Sequence, residues 1–570
     1  MPATDAYLGL RAFADELARC GLEHACTSPG SRSTPLVLSL AREPGIRATS
    51  HIDERCGSFF ALGLAKATGR PVALACTSGT AAANYAPAVH EAREARVPLL
   101  ILTADRPPEL REIGAGQTID QVKLYGGAAK WYLEVDDQPA TPERMRWLRH
   151  LACRAYWSAL EGRPGPVHLN FSLREPLVLD EPLPAGEPGG GGRAGGRPWV
   201  TRPRAQPVAS PGLIEGLEAV LDAHPRAVMV AGRSERDPGL GEALGGLADR
   251  LALPLLAEPL SGARRGRAAI ADYDALLRDP GFAAAQAPDL VLRFGDLPTS
   301  KPLRQWLHGL ETLQIAFDAE SAWQDPAGRV ATVVTADPRA LEPKQPRKDR
   351  EWLDAWRGAD HAAADAIART LDDLSEPRVA AELGVRLPAD TTLVVASSMP
   401  VRDVETFFPA RDAPPRVLSN RGANGIDGTV STAFGVAAAG GPTVLLIGDV
   451  ALAHDMGGLL AARRLGLPLV IVLLNNDGGG IFHFLPVERE GADFEEHVAT
   501  PHGLDFEHAA ELYGLGYGRV ADPGTFRDAL DGALASHRAT ILEVHTDRTE
   551  NVELHRRVWA AVAGSVRSGA

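Results

Sequence analysis

Short, wholly apolar runs alternate along the chain with longer stretches in which small and apolar residues recur at helical spacing. Val72-Ala73-Leu74-Ala75-Cys76 and Pro98-Leu99-Leu100-Ile101-Leu102 are such runs near the start. Thr443-Val444-Leu445-Leu446-Ile447 and Pro468 to Leu474 are their counterparts further on. A run with no polar alternation predicts a strand covered on both faces, as in a parallel sheet between helices. The stretches Phe60 to Ala67, Ala81 to Ala95 and Ala453 to Leu465 predict helices, rich in the small residues that close packing on a sheet favours. Pro71 to Pro98 and Pro442 to Pro468 repeat one order: proline, strand, polar turn, helix, basic residue, proline, strand. The outer parts of the chain thus read as a diverged duplication.

Two breaks interrupt this alternation. Pro182 to Gly212 contains Gly189-Gly190-Gly191-Gly192-Arg193-Ala194-Gly195-Gly196, too rich in glycine and proline to hold a helix or strand. Pro338, Pro343 and Pro346 punctuate a charged segment between Asp337 and Arg350. With 570 residues, the chain has room for three to four domains of roughly 150 residues each. The expected organisation is α/β throughout, with three doubly wound parallel-sheet domains. They are 1–183, a linker over 184–207, a central α/β domain over 208–343, and 344–570.

Composition narrows the class. Hydrophobic residues at 45% and charged residues at 23% are ordinary globular values, and no apolar run approaches the ~20 residues that span a bilayer. Met1-Pro2-Ala3-Thr4-Asp5 has neither the basic nor the apolar part of a secretion signal. Cys20, Cys26, Cys56, Cys76 and Cys153 form no C-x-x-C pair, which points to a reducing, cytoplasmic setting without a structural zinc. A net charge of −14 argues against a nucleic-acid partner. None of the six lysines precedes Ser or Thr, so no Walker A loop is present; G-x-S-x-G, H-E-x-x-H and a strand-linked G-x-G-x-x-G are absent too.

Candidate chemistry lies late in the chain. Gly448-Asp449 ends one predicted strand, and Asn475-Asn476 ends the next. A right-handed crossover places both ends side by side at the carboxyl edge of the sheet. A carboxylate, an amide oxygen and the carbonyls of Gly478-Gly479-Gly480 supply hard oxygens of the kind Mg²⁺ takes together with a phosphate. A helix opening after Asp449 would add a dipole favourable to an anion. An isolated Asp at a strand end is ordinarily an N-cap, and Asn-Asn-Asp-Gly a turn; the pair at this spacing is what carries weight.

This spacing resembles the signature of the decarboxylase-type thiamine-diphosphate enzymes. The resemblance implies Mg²⁺, or Mn²⁺ in its place, held by Asp449, Asn476 and the carbonyl of Gly478 against the cofactor diphosphate, with Gly448 beside it. It also implies that Glu54, in His51-Ile52-Asp53-Glu54-Arg55, bonds N1′ of the aminopyrimidine ring and so favours the imino form that takes the proton from thiazolium C2. A carboxyl in that role should sit away from water with a raised pKa.

Longer stretches sharpen the resemblance. Ser28 to Pro35, Thr103 to Leu110, Ser419 to Gly428, Gly479 to Phe482, Phe484 to Pro486 and His502-Gly503-Leu504 are similar to the branch of menaquinone biosynthesis that joins 2-oxoglutarate to isochorismate. There 2-oxoglutarate is decarboxylated and the succinyl-carbanion equivalent is added to the isochorismate ring. Both substrates are dianions, which suits arginine forks. By matching position the resemblance assigns Arg32, Arg106, Arg402 and Arg421 to substrate carboxylates, with Ser398, Gln117 and Lys301 in support. Arg32, Gln117, Arg402 and Arg421 join Glu54 as the catalytic set, and Ser398 also faces the cofactor. Ile426 would be the apolar wedge that bends the cofactor, and Phe482 and Leu485 would pack around cofactor and substrate. Without the resemblance all three would be expected in the core. One departure stands out: Lys301 precedes Pro302, where many relatives carry arginine, removing a cation and a backbone N–H. The family architecture implies a homodimer or homotetramer with its active site at the subunit interface, and no membrane span. Two other readings fit parts of the pattern. One is another thiamine-diphosphate 2-oxoacid decarboxylase or an acetohydroxyacid-synthase-like carboligase, which would not need so many arginines. The other is a non-catalytic cofactor-binding scaffold, which would not need Glu54, Asp449 and Asn476 together.

Overall fold

A computed structural model describes residues 3–203, 209–341 and 349–568. The boundaries expected at 207/208 and 343/344 lie outside the described residues. Among the described residues there are three six-stranded sheets, parallel at every pairing. The first contains β1 (His24–Thr27), β2 (Arg47–Ser50), β3 (Val72–Cys76), β4 (Leu99–Asp105), β5 (Trp131–Val135) and β6 (Val167–Ser172). The second contains β7 (Ala227–Ala231), β8 (Leu255–Ala257), β9 (Ala269–Ile270), β10 (Leu290–Phe294), β11 (Leu313–Phe317) and β12 (Thr332–Val334). The third contains β13 (Thr392–Val395), β14 (Arg416–Ser419), β15 (Thr443–Gly448), β16 (Val470–Asn475), β17 (Gly516–Val520) and β18 (Thr540–His545).

The first sheet runs β2-β1-β3-β4-β6-β5 and the third β14-β13-β15-β16-β18-β17. The two orders are identical once the third is renumbered from its own first strand, as a duplication requires. The second sheet runs β12-β11-β10-β7-β8-β9, the doubly wound order in which the chain reverses direction between β7 and β10. Among the described residues, no helix is long and apolar enough to cross a membrane.

Residues pack into two compact units. One holds 3–203 together with Asn420–Gly440 and His454–Ala461; the other holds the remaining described residues. In the first unit the Glu54–Thr68 helix is capped by Asp53, whose side chain accepts from the Cys56 N–H at 3.2 Å, and ends at Gly69 with φ 69°. It begins six residues earlier than the apolar pattern indicated, because capping rather than hydrophobicity sets the first turn. Its buried face lies on the Thr429–Ala438 helix. A Cβ on Gly63 would come within 2.0 Å of the Thr432 carbonyl oxygen, and one on Gly435 within 2.0 Å of that of Phe60, so the helices touch backbone to backbone.

Polar contacts fasten the same region. Glu91 accepts from the N–H groups of Gly422 and Ala423 at 2.9 and 2.6 Å and faces the buried Lys66 at 3.9 Å. Asp455, fully buried, accepts from the Ser431 N–H at 2.7 Å and hydroxyl at 3.2 Å, with the Cys56 thiol at 3.6 Å and Arg55 at 3.9 Å. Among the described residues from 182 to 203 there is no strand or α-helix and one 3₁₀ turn, Ala194–Gly196. Its flanks are tied down: Arg11 donates to the carbonyls of Pro184 and Gly186, Arg149 pairs with Glu187, and the Trp157 indole donates to the Val200 carbonyl.

In the second unit one continuous core joins its two sheets, including Tyr273, Trp306, Trp356, Leu383, Val404, Phe407, Phe526 and Val558. Buried Arg264 donates to the Ala257 and Phe408 carbonyls at 2.7 and 2.8 Å. Two expected helices are broken. The 81–95 stretch divides into Thr80–Ala83 and Ala86–Ala95, the second opening with Pro87 in its first turn, where a missing N–H costs nothing. The 453–465 stretch starts earlier, at Asp449, and loosens into a 3₁₀ turn over Met456–Leu459 beside Gly457-Gly458.

Candidate active site

In doubly wound sheets ligands sit outside the carboxyl ends of the strands, at the point where strand order reverses. In the first sheet that point lies between β1 and β3. Arg32 follows β1, Glu54 follows β2, Ser78 follows β3 and Arg106 follows β4. Arg32 is buried, donating to the Leu173 carbonyl at 3.0 Å and pairing with Glu175 at 3.1 Å. Arg106 donates to the Ser78 hydroxyl and to the Gly116 carbonyl. Gln117, at φ 56°, bonds both ways with Ser78: the Gln117 side-chain amide donates to the Ser78 carbonyl at 3.0 Å, and the Ser78 hydroxyl donates to the Gln117 backbone carbonyl at 2.9 Å. Burial and the nearby Arg32 charge lower the pKa of Arg106. Arg32, Arg106 and Gln117 are therefore gathered at one edge.

Glu54 opens its helix half-buried rather than sealed from water. Its pKa is raised mainly by burial, opposed by a backbone N–H and assisted by Asp53. Arg421 and Ile426 lie half-buried on the 420–428 loop of the same unit, between Asn420, which donates to Thr432 at 3.0 Å, and the helix that begins at Thr429.

In the third sheet the reversal lies between β13 and β15. Gly448 closes β15, and Asp449 is buried at the start of a six-residue helix. One carboxylate oxygen of Asp449 accepts from the N–H groups of Asn476 and Gly478 at 3.2 and 2.9 Å, and the other from Val450 at 2.7 Å. Burial raises its pKa, while the Gly478 and Val450 N–H groups and His502 act in the opposite direction. The loop can approach this closely because Gly478 takes φ 145°, and a Cβ there would meet the Ala499 carbonyl oxygen at 2.6 Å. Asn476 Nδ2 donates to Glu376 at 2.8 Å, and its Oδ1 is buried with no hydrogen-bond partner. A lone buried amide oxygen beside a carboxylate is the donor set of a hard divalent cation, so these residues fit Mg²⁺.

Around this edge stand the remaining candidates. Ser398, at φ 75°, precedes the Met399–Phe407 helix in a conformation costly for a residue with a Cβ, of the kind held at functional sites. Arg402, one turn on, donates to its carbonyl at 2.5 Å. Burial and the nearby Arg304 charge lower the pKa of Arg402. Lys301 is exposed at the first position of the Lys301–Gly309 helix, which Ser300 caps at 3.2 Å. Pro302 occupies the first turn, so its missing N–H leaves no gap. Phe482 and Leu485 are 37% and 45% exposed, not core, on the loop after Gly480.

Sequence reasoning assigned no role to four residues that the structure brings to these edges. His502 reaches Asp449 at 3.3 Å and Asp477 at 3.6 Å, a contact its His-Gly-Leu stretch did not reveal. Glu376 holds Asn476. Arg304 follows Lys301 by three positions on one helix face, a spacing the sequence does contain. Ser78 joins Arg106 to Gln117.

Three family models match along the chain. They are the N-terminal thiamine-pyrophosphate-binding domain over residues 9–124, the middle domain of thiamine pyrophosphate enzymes over 207–395, and the C-terminal binding domain over 400–544. Fold and edge geometry together define a thiamine-diphosphate-dependent enzyme. Among curated proteins, 2-succinyl-5-enolpyruvyl-6-hydroxy-3-cyclohexene-1-carboxylate synthase of Geobacillus thermodenitrificans is 44% identical, over 97% of this chain and 96% of the relative. The synthases of Chloroflexus aurantiacus and Haloarcula marismortui are 42% and 40% identical, over 97% and 96% of this chain and 96% of each relative. The chain belongs to the 2-succinyl-5-enolpyruvyl-6-hydroxy-3-cyclohexene-1-carboxylate synthase family.

Proposed function

We propose that the chain decarboxylates 2-oxoglutarate and adds the resulting succinyl-carbanion equivalent to isochorismate, in menaquinone biosynthesis. The observation that carries this reading is a pair of arginine clusters. Arg106 stands near Arg32, and Arg402 near Arg304, each near enough for the like charge to act on its pKa. Arg32 is buried and Arg106 and Arg402 are half-buried, where a nearby like charge is costly; Glu175 offsets part of that cost at Arg32, and a bound substrate carboxylate would offset more at each cluster. Two dianionic substrates account for two such clusters.

Thiamine diphosphate, when bound, supplies the electron sink for the carbanion left by loss of CO₂. Asp449, Asn476 and the Gly478 carbonyl would hold Mg²⁺ against the diphosphate, with Gly448 beside them at the end of β15. Glu54 would share a proton with the aminopyrimidine ring, and its raised pKa suits that task. Ile426 would serve as the apolar wedge against the bound cofactor, and Phe482, Leu485 and Ser398 would lie around it. Arg32, Arg106, Gln117, Arg402, Arg421 and Lys301 orient substrate carboxylates. Arg304 adds to the Arg402 cluster.

The three folding regions are assigned as 1–183, 208–343 and 344–570, joined by the 184–207 segment. The active form is a homodimer or homotetramer with sites shared between subunits. Exposed apolar side chains border the candidate residues, Ile52, Ile113 and Val122 in one unit and Phe482, Leu485 and Leu504 in the other, and support a partner surface there. Five free, buried cysteines support a cytoplasmic setting.

The test is loss of isochorismate absorbance in the presence of purified protein, thiamine diphosphate, Mg²⁺ and 2-oxoglutarate. Loss that requires every addition is the expected result. Consumption of 2-oxoglutarate at the same rate without isochorismate would overturn the carboligase reading.

A further inference from the structure

The amide of Asn476 can turn either its oxygen or its nitrogen toward a metal, and only the oxygen binds a hard cation. The choice is made behind it. Oε1 of Glu376 accepts from Asn476 Nδ2 at 2.8 Å and from the Thr546 hydroxyl at 2.9 Å. Glu376 opens the Glu376–Arg386 helix and is 1% exposed, so no water competes for that oxygen. Oε1 remains an acceptor even when the other carboxyl oxygen carries a proton. The amide must therefore present its NH₂ group to Glu376, which leaves the buried, unbonded Oδ1 on the opposite side. Neighbouring Asn475 is gripped in the same way, donating at 2.6 Å to Glu543, which also accepts from the Tyr517 hydroxyl.

From this arrangement we infer that Glu376 is a positioning residue that selects the amide orientation of Asn476 and so sets the affinity of the site for divalent metal. The inference rests on Asn476 being a metal ligand. Partners behind a ligand commonly control affinity by roughly ten- to a hundredfold.

The experiment is a Mg²⁺ titration of the full chain with thiamine diphosphate, reading retained cofactor by equilibrium dialysis, with no substrate present. Glu376→Met removes the acceptor at similar volume and should raise the half-saturating Mg²⁺ concentration roughly ten- to a hundredfold. Glu376→Gln keeps an acceptor and loses the charge, and should stay within about threefold of the parent. A parent-like Glu376→Met overturns the inference. So does a Glu376→Gln loss as large as that of Glu376→Met, because charge and not orientation would then be responsible. If Glu376→Met fails to fold, Thr546→Val frees the same carboxylate from one donor and should weaken Mg²⁺ several-fold; no change there overturns the inference. Asn476→Ala separates the two readings. If it leaves Mg²⁺ dependence intact, the metal site itself is misassigned. If it weakens Mg²⁺ and Glu376→Met does not, only the positioning role fails.

Discussion

At the scale of single residues, the two carboxylates proposed for catalysis and for metal binding should fail in different ways. Glu54→Gln should bind thiamine diphosphate with near-parent affinity, yet lose at least about a hundredfold in turnover, as removal of a general acid–base group does. Asp449→Ala should instead lose Mg²⁺-dependent retention of the cofactor, read by dialysis before any rate is measured. Asp455 gives a pH signature. Burial pushes its carboxyl up to about 6, against the N–H and hydroxyl of Ser431, Arg55 and the Cys56 thiol. A raised folded-state pKa means that the folded chain holds the proton more tightly, so its contribution is full below pH ~3.9 and is lost as pH rises through about 6. The stability difference between parent and Asp455→Asn should therefore shift against the parent by roughly 2–3 kcal/mol from pH 4 to pH 7. Urea midpoints at each pH measure it, and a constant difference would contradict the assignment. Asp449 and Asn476 were legible as residues because they lie at strand ends separated by one crossover. His502 and Glu376 were not, since only tertiary packing brings distant loops and helix starts to that edge.

Among elements, strands were read best. A run apolar on both faces has few alternatives to a covered parallel strand, and β3, β4, β15 and β16 lie on the expected runs, shifted by a few residues at their ends. Helix ends were read less well, because Asp53, Pro87 and the Gly457-Gly458 break act through local backbone geometry that apolar spacing does not register. Which helix meets which was not legible. Small residues in Glu54–Thr68 and Thr429–Ala438 signal close contact, but neither pattern names its partner. The packing makes a prediction whose sign is contested. Gly435→Ala should gain about 1 kcal/mol in helix propensity. The new methyl would sit 2.0 Å from the Phe60 carbonyl oxygen, backbone that cannot step aside. Overpacking of this kind costs about 1–3 kcal/mol, more where backbone must move. A lower denaturation midpoint is the expected outcome, and an unchanged or higher one would show that the helices can part.

For the whole molecule, the proposed sharing of the active site between subunits can be tested quantitatively. Mix Glu54→Gln chains with Asp449→Ala chains under conditions that exchange subunits. If each site draws Glu54 from one chain and Asp449 from another, half the dimers are mixed and each carries one intact site. Activity should then recover to roughly a quarter of the parent value. If both residues of a site come from one chain, no intact site forms and recovery is absent.

The interleaving of chain segments in the first unit has a consequence for how the protein is made. Its early part, residues 3–203, leaves the ribosome long before the 420–440 and 454–461 segments that complete its packing. The apolar face of Glu54–Thr68 must then wait through more than two hundred further residues of synthesis, at ~5–20 residues per second, for the Thr429–Ala438 helix. For tens of seconds the nascent chain carries an unfinished core. Holdase chaperones that shield apolar surface should be most needed in that interval, and pauses in translation before codon 429 should lower the yield of folded protein more than pauses after codon 461.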